Sequence, residues 1–352
     1  MSDRVLSTRA LNRALLARQL LLERSDLGLT AALEQIGGLQ TQYAPSAYIG
    51  LWSRLHDFER PRLTRALEQR RAVQATLMRS TIHVVSTRDF HLFSAGVRLH
   101  RRTWWERIAR SRGLQTDLTD VATLLRTVLA DGPLRRKELI PQLTDAGYDK
   151  AVWEGVGLWL DMVRVPPSGT WERRRADLYG LAENWLDPVD VSPEEGLEHL
   201  VKRYLCAFGP APLGDVANWA GVTVTTLQPI VERLRLRRFR DEDGGELLDV
   251  LRGLLPDPET PAPVRFLPTW DATLLVHARR TQILPEQYRN RVFTSRNPHS
   301  TPTFLVDGQV AGAWRYDKGA ITLDPYRDLA DADREALEQE AKALAAFHQD
   351  PG

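Results

Sequence analysis

One supersecondary pattern recurs three times along the chain and constrains its fold more than any other feature. Each copy runs helix, break, helix, turn, helix and then a pair of strands. The helices have apolar residues at helical spacing, and the strands are rich in β-branched residues. The copies begin near residues 6, 121 and 193. This order is typical of a winged helix-turn-helix, so the sequence predicts three tandem modules in an α+β chain that is mainly helical.

Gly and Pro residues mark where each predicted helix and strand begins or ends. In the first copy a Gly37-Gly38 break follows the second helix, and Pro45 leads into the third. Strand pairs are expected within 72–86, within 164–181, and on either side of 241–245. The predicted helices cover residues 6–23, 29–36, 46–55, 62–71, 121–130, 134–145, 150–163, 193–208, 213–220 and 224–234.

The composition changes after Arg252. Four prolines between residues 256 and 263 mark a linker, and residues 264–323 alternate between short strands and turns. Asp307-Gly308 is a two-residue hairpin signal. We expect a small β-barrel or β-sandwich here, the barrel being favoured, closed by a C-terminal helix over 330–347. The predicted domains are therefore 1–115, 116–190, 191–255 and 256–352.

The charge distribution points to a polyanion partner. Residues 1–113 contain 19 Arg, no Lys and 9 acidic residues, a net charge of +10, whereas the remainder carries −9. The Arg side chain binds phosphate bidentately. GC-rich coding would also favour Arg over Lys, but it does not account for the excess at one end.

Several classes of protein are excluded by what the sequence lacks. No run of 18 apolar residues is present, the N-terminus has no secretory signal, and Cys206 is the single cysteine. These features predict a reduced, cytoplasmic protein without disulfides. The eight histidines do not fall at ligand spacing, and Walker, G-x-G-x-x-G and G-x-S-x-G motifs are absent. We therefore expect no metal and no cofactor.

Two glutamines one residue apart, Gln40 and Gln42, are the candidate catalytic residues. On a continuous helix these side chains would diverge, but Gly37-Gly38 interrupts the helix, and in extended backbone residues i and i+2 point to the same side. Two neutral amides would then converge at the turn before the third helix, the part of a helix-turn-helix that faces base edges. Because an amide both donates and accepts, the pair could hold one water molecule. Alternatively, both are polar turn residues that contact backbone or DNA phosphate.

A family resemblance rests on several separated motifs. The run from Ile36 to Pro45, with Gly50-Leu51-Trp52 and Arg54, resembles the bacterial winged-helix DNA glycosylases related to AlkZ. The resemblance extends over nearly the whole chain, and it implies three winged helices and a β-barrel that clasp duplex DNA. Further matching segments are Arg79–Val85, Arg203-Tyr204-Leu205, Phe208–Ala211 with Asp215, Leu267-Pro268 with Asp271, Ile283-Leu284-Pro285 and Val306–Arg315.

The resemblance also implies an activity. The family signature is Gln, an apolar residue, then Gln or Asp, and Gln40 and Gln42 match it, whereas Thr41 departs from the apolar middle position. The implied reaction is monofunctional excision of N-alkylated purines, notably N7-alkylguanine and its cross-links, for repair or self-resistance. N7 alkylation already makes guanine a cationic leaving group, so placing water is the remaining task. The first lysine is Lys137, which argues against a Schiff-base lyase.

Further residues are candidate DNA contacts. Arg79, Thr81 and His83 alternate along a predicted strand and lie either beside phosphate or the lesion, or on an exposed wing face. The other candidates are Arg173, Arg174 and Arg175 in the second wing, and His277, Arg279 and Arg280 near a β-turn.

Two functions compete at this point. The first is an alkylpurine DNA glycosylase that acts as a monomer on double-stranded DNA, in the bacterial cytoplasm near the nucleoid. The second is a non-catalytic winged-helix regulator. Regulators commonly bind half-sites as dimers. Three copies with a β-domain and no coiled-coil heptads favour the glycosylase.

Overall fold

Helices and strands succeed one another in the order that the repeats predict. The computed structural model describes residues 4–114, 117–274, 277–278, 280–293 and 300–349, and it confirms the α+β class. The first copy comprises β1 (Arg4–Val5), α1 (Thr8–Arg18), α2 (Leu29–Ile36), β2 (Leu39–Gln40), α3 (Pro45–Trp52), α4 (Arg60–Glu68), β3 (Ala72–Thr76) and β4 (Ile82–Ser86), followed by α5 (Thr87–Ser111).

The second and third copies each have three helices before their strand pair, one fewer than the first copy. The second contains α6 (Leu118–Val128), β5 (Leu134–Arg135), α7 (Arg136–Asp145), α8 (Trp153–Val156), β6 (Met162–Arg164), β7 (Leu178–Leu181) and α9 (Ala182–Trp185). The third contains α10 (Pro193–Phe208), α11 (Leu213–Ala220), α12 (Val224–Arg233), β8 (Leu236–Arg240) and β9 (Glu246–Val250).

One predicted helix is wrong. Residues 150–163 form only a 3₁₀ turn and the four-residue α8 before β6 begins. Gly155 and Gly157 lower the helix propensity of this stretch. The second copy therefore has a shorter third helix than the periodicity predicts.

The strand pairs of the first two copies form one sheet. Its six strands lie in the order β2-β4-β3-β6-β7-β5, and β3 and β6 join the two copies through Gln74 opposite Arg164 and Ala75 opposite Val163. In the third copy β8 pairs with β9 on one side and with β1, in parallel, on the other. The chain start therefore belongs to the sheet of the third copy.

Helix α5 holds the first and third copies together. It begins at Ser86, whose Oγ accepts a hydrogen bond from the Asp89 N–H at 3.1 Å. It then packs along α10, and the two backbones meet at Gly96 and Gly196. A Cβ on Gly96 would lie 2.7 Å from the Gly196 carbonyl carbon, so the close crossing requires glycine.

The expected β-barrel is not formed by the described residues. The C-terminal region contains β10 (Arg265–Leu267), α13 (Arg289–Val292), β11 (Thr303–Val306), β12 (Gln309–Asp317), β13 (Ala320–Pro325) and α14 (Asp331–Gln349). Its four strands make an open antiparallel sheet in chain order, with β10 and β13 at the edges. Helix α14 packs against both edge strands, covering the sheet as the remaining strands of a barrel would.

A buried ion pair fixes the C-terminal region to the first copy. The Arg54 guanidinium donates to both carboxylate oxygens of Asp271, at 2.8 and 2.9 Å, and both side chains are fully buried. Breaking such a pair by removing one partner costs about 3–5 kcal/mol. Arg54 and Asp271, which both belong to the motifs that carry the family resemblance, therefore contact each other in the fold.

Candidate active site

Strand β2 places the first glutamine. Leu39 lies opposite Val84 and Gln40 lies opposite His83 on β4, and the Thr41 N–H donates to the Ile82 carbonyl at 2.8 Å. The backbone is therefore extended through Gln40, as the Gly37-Gly38 break predicts. This pairing brings Gln40 beside the tight connection between β3 and β4.

Each glutamine carbonyl accepts one hydrogen bond from that connection. Gln40, only 6% exposed, accepts from Arg79 Nη2 at 3.0 Å. Gln42 is exposed, and its Oε1 accepts from the Ile82 N–H at 3.0 Å. Among the described residues, neither amide nitrogen has a hydrogen-bond acceptor. Both amides are thus oriented through one oxygen lone pair, and the second lone pair and the amide N–H groups have no protein partner among the described residues.

Arg79 is held by contacts from two copies. Its Nη1 donates to the Trp219 carbonyl in α11 at 2.8 Å, while its Nη2 binds Gln40. Its φ of 51° lies in the left-handed region, which costs energy for a residue other than glycine. Burial lowers the pKa of the guanidinium to about 10, so Arg79 remains a cation at neutral pH.

His83 is a neutral neighbour of Gln40. Burial, reinforced by the Arg79 cation, lowers the pKa of His83 to about 3, and the ring is 3% exposed. Its Nδ1 lies 3.0 Å from the Thr81 carbonyl, and the Thr81 hydroxyl donates to the Met78 carbonyl at 3.0 Å. At neutral pH the His83 imidazole is therefore uncharged and carries a single ring proton.

A buried polar group lies behind Arg79. The Tyr204 hydroxyl is 3.0 Å from His277 Nε2, and Arg280 Nη2 donates to that hydroxyl at 3.1 Å. Arg280 also donates through Nε to Asp215 at 2.6 Å. Burial, with the Arg79 and Arg280 cations, places the pKa of His277 well below its usual range. These contacts are internal to the protein.

The connection between β6 and β7 of the second copy packs against the first copy instead of standing free. Its Trp171 ring packs edge-on against Tyr48, with centroids 5.8 Å apart, and the Gly169 carbonyl accepts from Gln74 Nε2 at 3.2 Å. Arg174 then donates to the Tyr43 hydroxyl at 2.9 Å. A cation from the second copy is thereby placed one residue beyond Gln42.

Helix α3 does not present an open face to a partner. Every residue from Pro45 to Leu51 is buried. Immediately before the helix, Gln42 and Tyr43 reach the surface, the latter 36% exposed. In this copy the turn that precedes the helix is exposed, whereas the helix itself is buried.

The predicted site residues fall into three groups. The strand face expected for Arg79, Thr81 and His83 is wrong, because Arg79 lies in the 3₁₀ turn Met78–Ser80, Thr81 follows that turn, and only His83 is on β4. Arg173, Arg174 and Arg175 are exposed in the connection between β6 and β7. His277 and Arg280 lie behind Arg79, and Arg279 lies outside the described residues. DNA contact by any of them stays a prediction, and for His83 and His277 it requires a buried ring to be uncovered. The Trp219 carbonyl could not be predicted as a partner of Arg79, because every residue has a backbone carbonyl and the sequence does not show which one is used.

The described part of the chain contains neither a metal-ligand cluster nor a membrane-spanning helix. Within these ranges, no three His, Cys, Asp or Glu side chains are grouped so that they could hold a metal ion. In the same residues, no helix combines the length and the apolar character needed to cross a membrane.

This fold and site define a helical α+β protein that presents two oriented amides, one of them bonded to the partly buried Arg79. The sequence model of the family described as DNA glycosylase AlkZ-like matches residues 33–347. The chain therefore belongs to the AlkZ-like DNA glycosylase family.

A sequence comparison and a structure comparison each find a similar protein of Streptomyces sahachiroi. An interstrand DNA cross-link repair glycosylase is 25% identical over 166 residues, which is 44% of this chain and 43% of the relative. The solved structure of the DNA glycosylase AlkZ superposes with a TM-score of 0.81 at 17% identity, covering 98% of this chain and 97% of the other. At that identity the superposition establishes a shared fold.

Proposed function

We propose that this protein is a monofunctional DNA glycosylase that excises N-alkylated purines, N7-alkylguanine in particular, by attack of water on the sugar C1′. The observation that supports it most is the fixed orientation of the Gln40 and Gln42 amides by Arg79 and by the Ile82 N–H. Membership of the AlkZ-like DNA glycosylase family supports DNA as the substrate.

Two neutral amides are sufficient for this chemistry. A carbonyl oxygen has two lone pairs, so after one internal hydrogen bond each glutamine can still accept a hydrogen from water. Two such acceptors would turn the oxygen lone pair of the water toward C1′. The N9–C1′ bond breaks with its electron pair going to the purine, which leaves as a neutral base without a strong acid because it is already cationic. Water forms the new C1′–O bond, and the proton that it loses passes to solvent. Holding the water in place is then the main contribution to rate.

The proposal has several finer parts. We interpret the three copies as winged helices with boundaries at 115, 190 and 255, and duplex DNA as the partner, bound by a monomer in the bacterial cytoplasm at the nucleoid. Because the Streptomyces relative is an interstrand cross-link repair glycosylase, interstrand cross-links are a candidate substrate. Lyase chemistry is not part of the proposal, because no lysine precedes Lys137.

The test is single-turnover release of base from a duplex that contains one N7-methylguanine. Gln40→Ala and Gln42→Ala are each expected to slow release roughly 10- to 1000-fold, the effect of losing one preorganised group. The double variant should lose less than the product, because groups that act as a unit are not additive. Gln42→Asp keeps an acceptor and should retain partial activity.

Binding measurements separate this role from a DNA contact. Duplex affinity should stay nearly constant in both variants. Gln69→Ala is the matched control, because this exposed glutamine accepts only from Arg71 among the described residues. Equal losses of binding and excision would identify the pair as DNA contacts, as in a regulator. Full activity in the double Ala variant would contradict a catalytic role for the two glutamines.

A further inference from the structure

A small cleft lies where α5 meets β6 and β7, at the junction of the first and second copies. Its volume is about 40 Å³. This is far below the roughly 300–1,000 Å³ of pockets for drug-sized molecules, but it is sufficient for a group of a few heavy atoms. Of the described residues that line it, three are arginines, Arg98, Arg101 and Arg164, and one, Asp161, is a carboxylate. Cations therefore outnumber carboxylates in the lining.

The lining carboxylate is already neutralised by the most exposed of the three arginines. Asp161 accepts a hydrogen bond from Arg98 Nη2 and another from Ser94 Oγ at 2.8 Å. The Arg98 and Asp161 side chains are each 35% exposed, so this ion pair lies on the solvent side of the cleft. Arg101 and Arg164 are then left as the cations that the lining does not compensate.

Arg101 and Arg164 are buried without a carboxylate partner. Each is only 8% exposed, and within the described ranges neither has a carboxylate among the groups that shift its pKa. Burial lowers the pKa of Arg101 to about 10 and also lowers the pKa of Arg164, yet a guanidinium keeps its proton in proteins at neutral pH. Charges buried this deeply are normally paired, so an anion in the cleft would be stabilised.

The two guanidinium groups meet at the end of β3. Arg101 Nη1 donates to the Leu77 carbonyl at 2.9 Å and lies 3.5 Å from the Thr76 carbonyl oxygen. Arg164 Nη2 donates to Thr76 Oγ1 at 3.0 Å. In the part of the chain that the structure describes, Arg101 Nε has no acceptor. A planar guanidinium with unused N–H groups is the side chain best suited to bind phosphate oxygens.

The cleft lies close to the candidate active site. Arg101 holds the carbonyl of Leu77, two residues before Arg79, and Arg79 in turn binds Gln40. Burial is the main cause of the low pKa of His83, and the Arg79 and Arg101 cations add to it. An anion bound to Arg101 would therefore act on the turn that positions Gln40.

We propose that this cleft binds a phosphate group, with Arg101 and Arg164 as the cations that contact it. The small volume fits a tetrahedral oxyanion, and the excess of cations disfavours a cationic base. The phosphate is either part of a DNA backbone or free inorganic phosphate, since both present the same oxygens. The proposal does not depend on the chemistry of Gln40 and Gln42, because binding phosphate requires no base excision.

Calorimetric titration with inorganic phosphate at constant ionic strength tests the cleft. Arg164→Met should weaken phosphate affinity about 10- to 100-fold, the effect of losing one hydrogen bond to a charged group. Arg107→Met is the control, because it removes an exposed cation of α5 that does not line the cleft, and it should leave the affinity unchanged. An equal loss in both variants would mean a general effect of charge and would contradict the proposal.

Duplex binding identifies the source of the phosphate. If a backbone phosphate of DNA occupies the cleft, Arg164→Met should reduce the slope of log affinity against log salt by about 0.9. An unchanged slope together with weaker binding of inorganic phosphate would assign the cleft to free phosphate. If Arg164→Met alters neither the slope nor the phosphate affinity, the proposal is wrong.

A second pair of variants keeps both arginines in place. Met162 is half-buried and lines the cleft, so Met162→Glu supplies an internal carboxylate, whereas Met162→Gln has the same shape without the charge. Met162→Glu should bind inorganic phosphate at least about 10-fold more weakly than Met162→Gln, because its carboxylate repels the anion and pairs with the cations. Urea unfolding shows that both are folded. Equal phosphate affinity in the two variants would overturn the proposal, and the outcome is independent of whether the protein releases any base.

Discussion

The first and third copies end their second helix in the same way but continue the chain differently. In each, that helix ends at a glycine with φ of 77°, Gly37 and Gly221. The next residue is Gly38 in the first copy and Val222 in the third. A Cβ on Gly38 would lie 2.6 Å from Val85 Cγ1 and 3.0 Å from the Val84 carbonyl oxygen. Only glycine therefore lets the chain run beside β4 at this point.

The consequence is a strand in one copy and a plain turn in the other. In the third copy Thr223 comes at once as the N-cap of α12, its Oγ1 accepting from the Thr226 N–H at 3.2 Å. In the first copy residues 38–44 intervene, and they include β2 and both glutamines. The two glutamines of the candidate site therefore lie in a segment that the first copy has and the third copy lacks.

The largest expected effect comes from removing the freedom of Gly38. In Gly38→Ala the new residue would have to adopt a φ near 80°, and its Cβ would collide with stiff, buried Val85, so β2 should leave the sheet edge. Both amides would move together, and excision should fall by roughly 100-fold or more. Single-turnover base release measures this effect.

A matched glycine gives the control. A Cβ on Gly28 would meet nothing within 4 Å, so Gly28→Ala should keep both activity and the midpoint of urea unfolding. If Gly38→Ala also left base release unchanged, the pairing of β2 with β4 would not be what positions the glutamines.

The next effect tests the contact between the two copies. Arg79→Met removes the donor to Gln40 and the bond to the Trp219 carbonyl, and excision should fall about 10- to 100-fold because a small misplacement of a positioning group is costly. The salt dependence of duplex affinity should not change. A slope smaller by about one would mean that Arg79 binds phosphate.

Arg71→Met is the comparison variant for Arg79. Arg71 is exposed, and within the described residues its guanidinium bonds only Gln69. It lies in the same positive segment, so it shares any general effect of removing a charge. Activity equal to that of the unaltered protein is expected.

A smaller effect distinguishes the strands of the two copies by pH. β4 contains the buried His83, whereas β9 has no histidine. The folded-state pKa of His83, about 3, lies below the unfolded value of about 6.5. Its contribution to stability is therefore complete above pH 6.5 and is lost progressively as the pH falls toward 3, by at most about 1.4 kcal/mol per unit.

Urea unfolding at pH 7.5, 6 and 5 measures this dependence. The unaltered protein should lose stability over that range more steeply than His83→Asn, and the difference isolates His83 from the other buried histidines. Identical pH dependence in the two proteins would show that His83 has the same pKa in the folded and unfolded states.

The smallest effect concerns the exposed arginines. Arg173 and Arg175 lie on the hairpin of the second copy, while the hairpin tip of the third copy carries Asp241, Glu242 and Asp243. Replacing Arg173 and Arg175 with Ala should reduce the slope of log affinity against log salt by up to about 0.9 for each phosphate that is no longer neutralised. Arg238→Ala, on the third hairpin, should leave the slope unchanged.

Elements with strong local signals could be predicted from the sequence. The bounds of α2, α10 and α11 match the expectation to the residue, because Gly37, Pro193 and Gly221 mark where they begin or end. Helix α5 was not predicted, although Phe90, Phe93 and Val97 repeat at helical spacing. The extended backbone at Gln40 was also predicted correctly, from the glycines before it.

Long-range pairing could not be predicted. Nothing local specifies that Gln74 lies opposite Arg164, which merges two hairpins into one sheet. The same holds for the bond from Arg79 to a carbonyl 140 residues away. The barrel was expected because strand signals do not state whether edge strands pair with each other or are covered by a helix.

The packing of the first copy has a consequence for biosynthesis. Its N-terminal strand β1 pairs with residues 239 and 240, and Phe347 of α14 packs against Trp52 and Phe58. The ribosome synthesises residues 239, 240 and 347 long after the segment with Gln40 and Gln42 has emerged. Such sequence-distant contacts delay folding. Nascent fragments should therefore lack an ordered Gln40 and Gln42, and activity should appear only when synthesis has passed residue 347.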